Sequence, residues 1–296
     1  MKKKIYTLQF LNYLIAMRVV HYSKNSIIFL PVFFITTTSE NYLNLIYTFI
    51  SLCLISSAGY LFNDVKDLAT DKLHSIKKFR PLASNKITSN SCKILAVFLI
   101  LISLSFSLAA DIQIFYLILS YALLSFIYTL LLKKIVFLDL IFLTTFYVLR
   151  LISGIMIMDP PITIWSISLG FYFFLTLGSI KRLTDTTSNI EKHSSKIYNN
   201  FSIKLLKILI KILIILMPLV FYFYLKQENM VFSSTKMGIV LVTSIYIWNI
   251  YLAIKVFNKK IKKDFIAYVM TDFLSLVMIF IIFTFLVANL IANFYF

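Results

Sequence analysis

The chain has 296 residues, of which 60% are hydrophobic and only 14% charged, a balance far from that of soluble domains. Its net charge of +17 in so apolar a sequence points to membrane topology, anionic headgroups and anionic substrates, not to nucleic acid. Cys53 and Cys92 lie far apart without metal-ligand spacing, so neither a disulfide framework nor a zinc site is indicated.

The N-terminus shows no cleavable-signal pattern. Lys2 to Lys4 lead into a mixed stretch with Gln9, Asn12 and Arg18, which reads as an interfacial helix. A hydrocarbon core of about 30 Å takes about 20 mostly apolar helical residues per crossing. Candidate stretches follow at 26–39, 41–62, 93–110, 112–132, 135–157, 162–180, 205–225, 237–256 and 270–292. The fold class expected is all-α, a polytopic membrane protein, treated as one domain over 1–296.

Positively charged loops stay in the cytoplasm. Here the charge gathers in the N-terminal segment, in 63–93, at Lys133 and Lys134, in 181–204, and from Lys255 to Lys263. The alternate connections hold Glu40, Asp111, Asp159 and the 226–236 loop, with Lys226 and Lys236 as its basic groups. The N-terminus is therefore expected inside and the C-terminus outside, in the plasma (inner) membrane. Two cytoplasmic segments, 63–93 and 181–204, exceed the roughly 2–8 residues that a helix connection needs.

The first of these opens with NDVKDLATD. If the preceding helix continues, Asn63, Asp67 and Asp71 fall at i, i+4 and i+8, and Asp64 borders the same face. Three crowded carboxylates repel one another unless a cation joins them. Such oxygen ligands suit magnesium, which binds through one or two carboxylates plus substrate phosphates. A solvated acidic turn is the plainer alternative. Next comes KLHSIKKFRPLASNK, with Lys72, Lys77, Lys78, Arg80 and Lys86. Arg80 can fork onto phosphate oxygens and the lysines act as point charges, or the cluster is only an orientation signal.

The second segment begins SIKRLTD, with Lys181, Arg182 and Asp185. Lys181 and Asp185, at i and i+4, make either a surface ion pair or a second wall of the same anion site. His21, His74 and His193 are isolated and read as interfacial and non-catalytic. Arg150, in FYVLRLISG, lies well inside an apolar stretch, where a charge costs about 2.5–3.5 kcal/mol. It must face the bundle interior or a water-filled cavity, with Gly154 permitting close helix approach. Its partner is a substrate phosphate or, alternatively, a structural carboxylate; Asp139 and Asp272 also lie in apolar stretches.

With these residues in place, the chain resembles the UbiA prenyltransferase superfamily, whose signature is NDxxDxxxD at the cytoplasmic end of the second helix. It is most similar to the polyprenyl-phosphate (decaprenyl-phosphate) phosphoribosyltransferase branch. RVVHYSKN, with Arg18, Lys24 and Asn25, resembles the branch's opening segment, with Tyr22 where tryptophan is expected. KKFRP, YVLRLISG and IKRLTD resemble its later motifs, with Asp185 where glutamate is usual. DFIAYVMTD, with Asp264 and Asp272, is similar to the superfamily's ending, with Phe265 in place of proline.

The resemblance implies nine transmembrane helices around a central cavity open to the cytoplasm, and a single intramembrane transferase domain. It implies Mg2+ on Asn63, Asp64, Asp67 and Asp71, and a catalytic set of Asp64, Asp67, Asp71, Arg80 and Lys181. Lys24, Asn25, Lys77, Lys78 and Arg80 are then expected to bind substrate, as are Arg150, Lys181, Arg182 and Asp185. The reaction implied moves 5-phosphoribosyl from phosphoribosyl pyrophosphate to a polyprenyl phosphate for cell-envelope glycan precursors. One aspartate-rich motif and one mainly cationic motif favour this over prenyl transfer to an aromatic or other small acceptor, which typically uses two aspartate-rich motifs. A lipid-phosphate transporter is a third reading, less suited to ionisable groups concentrated on one side. Oligomeric state is not indicated.

Overall fold

A computed structural model describes residues 2–33, 39–133, 135, 137–158, 164–187, 199–227, 235–261 and 265–295. All secondary structure among them is helical. Helix α1 (Lys2–Met17) is followed by a 3-10 segment over Val19–Phe33. Then come α2 (Ser39–Leu73), α3 (Ser89–Ala110), and α4 (Ile112–Ile127), which ends in a π-helical turn, Tyr128–Leu132. They are followed by α5 (Leu138–Met158), α6 (Ile164–Thr187), α7 (Asn200–Gln227), α8 (Thr235–Phe257), the short α9 (Phe265–Val269) and α10 (Phe273–Tyr295). Among the described residues seven helices are long and apolar enough to cross a membrane: α2, α3, α4 with its π turn, α5, α7, α8 and α10. The protein is thus an all-α, multi-pass membrane protein.

Two of the expected crossings are not among the seven. Over 26–39 the chain is in the 3-10 segment, with Pro31 inside it, up to Phe33, and 34–38 lie outside the described residues. The stretch 162–180 corresponds to α6, which runs on through Lys181, Arg182 and Asp185 to Thr187.

Helix α2 has 35 residues, about 52 Å at 1.5 Å per residue, so roughly 20 Å of it projects beyond a 30 Å hydrocarbon core. The NDxxDxxxD segment, residues 63–71, lies in the last turns of this helix. The expected loop 63–93 is therefore mostly helix at both ends, and the connection proper shrinks to 74–88. Thr88 closes it with a capping box, exchanging hydrogen bonds with Ser91 and satisfying the first free N–H groups of α3. Asp111 does the same for α4, its carboxylate accepting from the Gln113 N–H at 2.6 Å.

The chain forms two compact units. The first is Met1–Phe29 with Thr37–Lys133, and the second is Leu30–Thr36 with Lys134–Phe296. The first unit's core includes Ala58, Leu61, Leu82, Ile87, Cys92 and Leu99. Small side chains bring its helices together: Ser51 and Ser103 each donate to the other's carbonyl at 2.8 and 2.9 Å. A Cβ on Gly59 would stand 2.8 Å from the Ser125 hydroxyl of α4. The second unit is cored by Leu140, Ile180, Leu183, Leu206, Ile210 and Leu252. There a Cβ on Gly178 would meet Leu140, and one on Gly170 would meet Leu151, each at 2.9 Å. Glycine at these points lets α6 lie close against α5.

Candidate active site

Continuation of α2 to Leu73 puts Asn63, Asp64, Asp67 and Asp71 on adjoining helical positions, as the spacing requires. Asp64 and Asp71 are buried, while Asp67 is more open, its side chain 27% exposed. Each carboxylate meets a cation from another segment. Arg18 donates to Asp64 at 2.7 Å. One nitrogen of Arg80, Nη1, donates both to Asp64 at 3.1 Å and to Asp71 at 2.6 Å. The Lys133 ammonium donates to Asp67 at 2.5 Å and to the Asn63 amide oxygen at 3.0 Å. All four side chains of the motif accept from a cation, in two bridged pairs: Asp64 with Asp71, and Asn63 with Asp67.

Local structure aims these cations. Arg80 follows a 3-10 turn, Lys77–Phe79, that His74 organises by accepting the N–H groups of Ile76 and Lys77 on Nδ1. His74 thus shapes the turn that carries Arg80. Lys78 is exposed and lies 5.2 Å from the Phe79 ring, and Lys77 is partly exposed. Arg18 sits between α1 and the 3-10 segment at φ 55°, a left-handed backbone that costs a non-glycine residue energy and gathers at functional sites. Its guanidinium lies 4.5 Å over the Tyr60 ring, which is cation–π distance. On the 3-10 segment Asn25 is buried and donates to Cys53 Sγ at 3.3 Å, with Lys24 partly exposed beside it.

Sequence reasoning did not assign Lys133 to the site, and Arg18 entered only through the resemblance. Both sit at the ends of apolar stretches, where positive charge is already explained by topology. The available signal was charge balance, since three buried or half-buried aspartates need cations beyond Arg80.

The remaining candidate residues lie in the second unit. Arg182 Nη2 contacts both oxygens of Asp139, at 2.9 and 2.6 Å, and its Nη1 stands 3.9 Å from Asp185. Asp185 is buried and Lys181 partly exposed. Buried Arg150 donates to the Phe146 carbonyl at 2.7 Å and lies 5.3 Å from the Tyr147 ring. Asp272 accepts from Tyr251, Tyr268 and the Ser275 N–H at 2.8–3.0 Å. Burial, reinforced by the bond to Asp272, pushes the Tyr268 phenol well above its ordinary pKa, so it stays a protonated donor. Asp264 and His193 lie outside the described residues.

The donor set of α2 fits magnesium. Its side chains offer hard oxygens of the kind magnesium takes, and two of them, from Asn63 and Asp67, share one cationic nitrogen within 3.0 Å. Among the described residues no three His, Cys, Asp or Glu side chains are gathered into a metal-sized group; the carboxylates are drawn instead toward the basic side chains.

Comparison with known proteins gives the family and the fold. The model of the UbiA prenyltransferase family matches residues 26–277. The nodulation protein NoeC of Azorhizobium caulinodans is 31% identical over 180 residues, covering 60% of this chain and 58% of its own. Digeranylgeranylglyceryl phosphate synthase of Saccharolobus solfataricus is 30% identical over 57% of this chain and 62% of its own. Decaprenyl-phosphate phosphoribosyltransferase of Mycolicibacterium smegmatis is 29% identical over 46% of this chain and 43% of its own. The chain thus spans less than two thirds of each of these relatives. In fold, it superposes on a UbiA homologue from Archaeoglobus fulgidus bound to GPP and Mg2+, with a TM-score of 0.73 and 14% identity over 95% of this chain and 99% of that one.

Proposed function

The chain belongs to the UbiA prenyltransferase family, and from that membership we propose a specific member of its chemistry: transfer of 5-phosphoribosyl from phosphoribosyl pyrophosphate to a polyprenyl phosphate, releasing pyrophosphate, for cell-envelope glycan precursors. One observation carries the reading. The first polar motif is acidic, whereas the second offers Lys181 and Arg182 with the single carboxylate Asp185, as expected where further phosphates must be held. The partial similarity to decaprenyl-phosphate phosphoribosyltransferase supports the same branch.

In this proposal Asn63, Asp64, Asp67 and Asp71 hold Mg2+, which when bound would neutralise the leaving diphosphate. Arg80, Lys77 and Lys78 bind phosphate oxygens beside the motif. Lys181 and Arg182 hold further phosphates, Asp139 and Asp185 orienting the Arg182 fork. Lys24 and Asn25 position substrate from the 3-10 segment, and Arg150 supplies a buried positive charge. The C1–O bond to pyrophosphate breaks while a lipid phosphate oxygen bonds to C1. An oxocarbenium-like transition state calls for leaving-group stabilisation and alignment more than for a strong base. The whole chain acts as one catalytic domain with nine crossings, its N-terminus and site cytoplasmic and its C-terminus outside.

Prenyl transfer is the second reading, favoured by the fold shared with a homologue bound to GPP and Mg2+ and by the partial similarity to digeranylgeranylglyceryl phosphate synthase. Incubation of the purified chain with labelled phosphoribosyl pyrophosphate, a polyprenyl phosphate and Mg2+ separates the two. Magnesium-dependent label in the organic phase is expected. No label across several lipids, together with transfer of a labelled prenyl chain to a small acceptor, would replace the first reading with the second.

A further inference from the structure

Lys133 stands at an unusual place. Its backbone N–H bonds to the Tyr128 carbonyl at 3.0 Å, an i→i+5 bond that ends the π turn Tyr128–Leu132. Single π turns of this kind concentrate at functional sites, because the extra residue per turn changes the direction in which the following side chain leaves the helix. Here that side chain reaches α2, where its ammonium sits between Asn63 and Asp67. The side chains of Lys133 and Asp67 remain 16% and 27% exposed.

The neighbouring pair differs in kind. Asp64 and Asp71 are buried with side-chain exposures of 5% and 7%, and are held by Arg80, with Arg18 also on Asp64. A guanidinium is a rigid, permanently charged fork, while an ammonium is a compact point charge on a flexible stem. Of the two bridged pairs, Asn63 with Asp67 has the more open carboxylate, and its cation sits on the more flexible stem. An ammonium that touches one carboxylate and one amide oxygen also presents to them much of what a small divalent ion would: positive charge at short range to hard oxygens.

We propose that Lys133 is a built-in competitor for the divalent cation, occupying the Asn63–Asp67 end of the motif in the metal-free protein and giving way when the ion binds. The competition weakens metal affinity in the resting protein and spares Asp67 an unpaired charge. This inference rests on the motif being a divalent-cation site, and adds that the chain itself holds the affinity of that site down.

The test is Mn2+ binding to the detergent-purified full chain, read from the signal of free Mn2+ in electron paramagnetic resonance, with no substrate present. Lys133→Met is expected to bind Mn2+ about two- to fivefold more tightly than wild type, the scale of one part-exposed ion pair. Lys133→Arg, which keeps a cation, should not gain this affinity, and Asp67→Asn should weaken binding in every background. Lys133→Gln serves in place of Lys133→Met should the latter fail to fold. Equal or weaker Mn2+ binding by Lys133→Met, with binding still sensitive to Asp67→Asn, would overturn the competitor role and leave the metal reading standing. Binding that ignores Asp67→Asn, or none in any variant, would overturn the metal reading and the inference with it.

Discussion

In the first unit, Asp64, Asp67 and Asp71 are met by Arg18, Arg80 and Lys133, three charged donors from three separate segments. In the second, Asp272 is held by two phenols and a backbone N–H, and Asp139 accepts from the Arg182 guanidinium. The same residue type is thus used in different ways. The phenols and the backbone N–H carry no net charge to draw an anion, and the N–H is fixed in the first turn of α10, so Asp272 is fastened. The side chains on the α2 motif are themselves phosphate-binding types, and in the proposed reaction contact with them would let the motif trade partners for a metal and an anion. The Asp139–Arg182 pair is intermediate. Its acceptor is buried, yet its donor is a fork that also lies near Asp185.

The largest effect that would break this contrast is on turnover. Asp67→Asn should lower the rate by at least about a hundredfold, the scale of losing one group that stabilises transition-state charge. The melting temperature should change little, since a single part-exposed ion pair contributes about 0–1 kcal/mol. Wild-type turnover in that variant would remove Asp67 from the metal set. Asp139→Ala should reverse the pattern in the second unit. It removes the nearest carboxylate to Arg182, and breaking a buried pair costs about 3–5 kcal/mol, reduced here to about 2–3 because Arg182 is one-fifth exposed and stands near Asp185. Denaturation in mild detergent measures it. A loss under about 0.5 kcal/mol would show that Arg182 is held elsewhere.

Much of the first unit was legible because its evidence is periodic. The i, i+4, i+8 spacing of Asn63, Asp67 and Asp71 states which residues share a helical face, and apolar length states where crossings run. The partners were harder to read. Arg18 and Lys133 lie 46 and 66 residues from the aspartates they contact, a separation no local pattern encodes, and their charge had a sufficient explanation in membrane orientation. Lys181 and Asp185, at i and i+4, looked like the natural pair in the second unit, yet the neighbouring Arg182 reaches back 43 residues to Asp139. A helical repeat gives faces but not which neighbouring helix each face meets. The 3-10 segment escaped for a related reason: over 26–39 apolar composition resembles a crossing, while Pro31 and the residues ahead of it support a tighter winding.

The smallest expected effect tests the fastened end of the comparison. Asp272 immediately precedes α10 and accepts the Ser275 N–H at 3.0 Å, the position of an N-cap carboxylate, which stabilises a helix start by satisfying a free donor. It also ties α10 to α8 through Tyr251 and to α9 through Tyr268. Asp272→Ala removes the cap and should cost about 1 kcal/mol, with somewhat more if the two phenols are left without an acceptor. Asp272→Asn keeps an oxygen for the cap and should lose less. If Asp272 is only a fastener, both variants melt earlier and keep the wild-type metal affinity. A fall in Mn2+ affinity with unchanged melting would instead give this aspartate a part in cation binding, and the contrast between the two units would have to be redrawn.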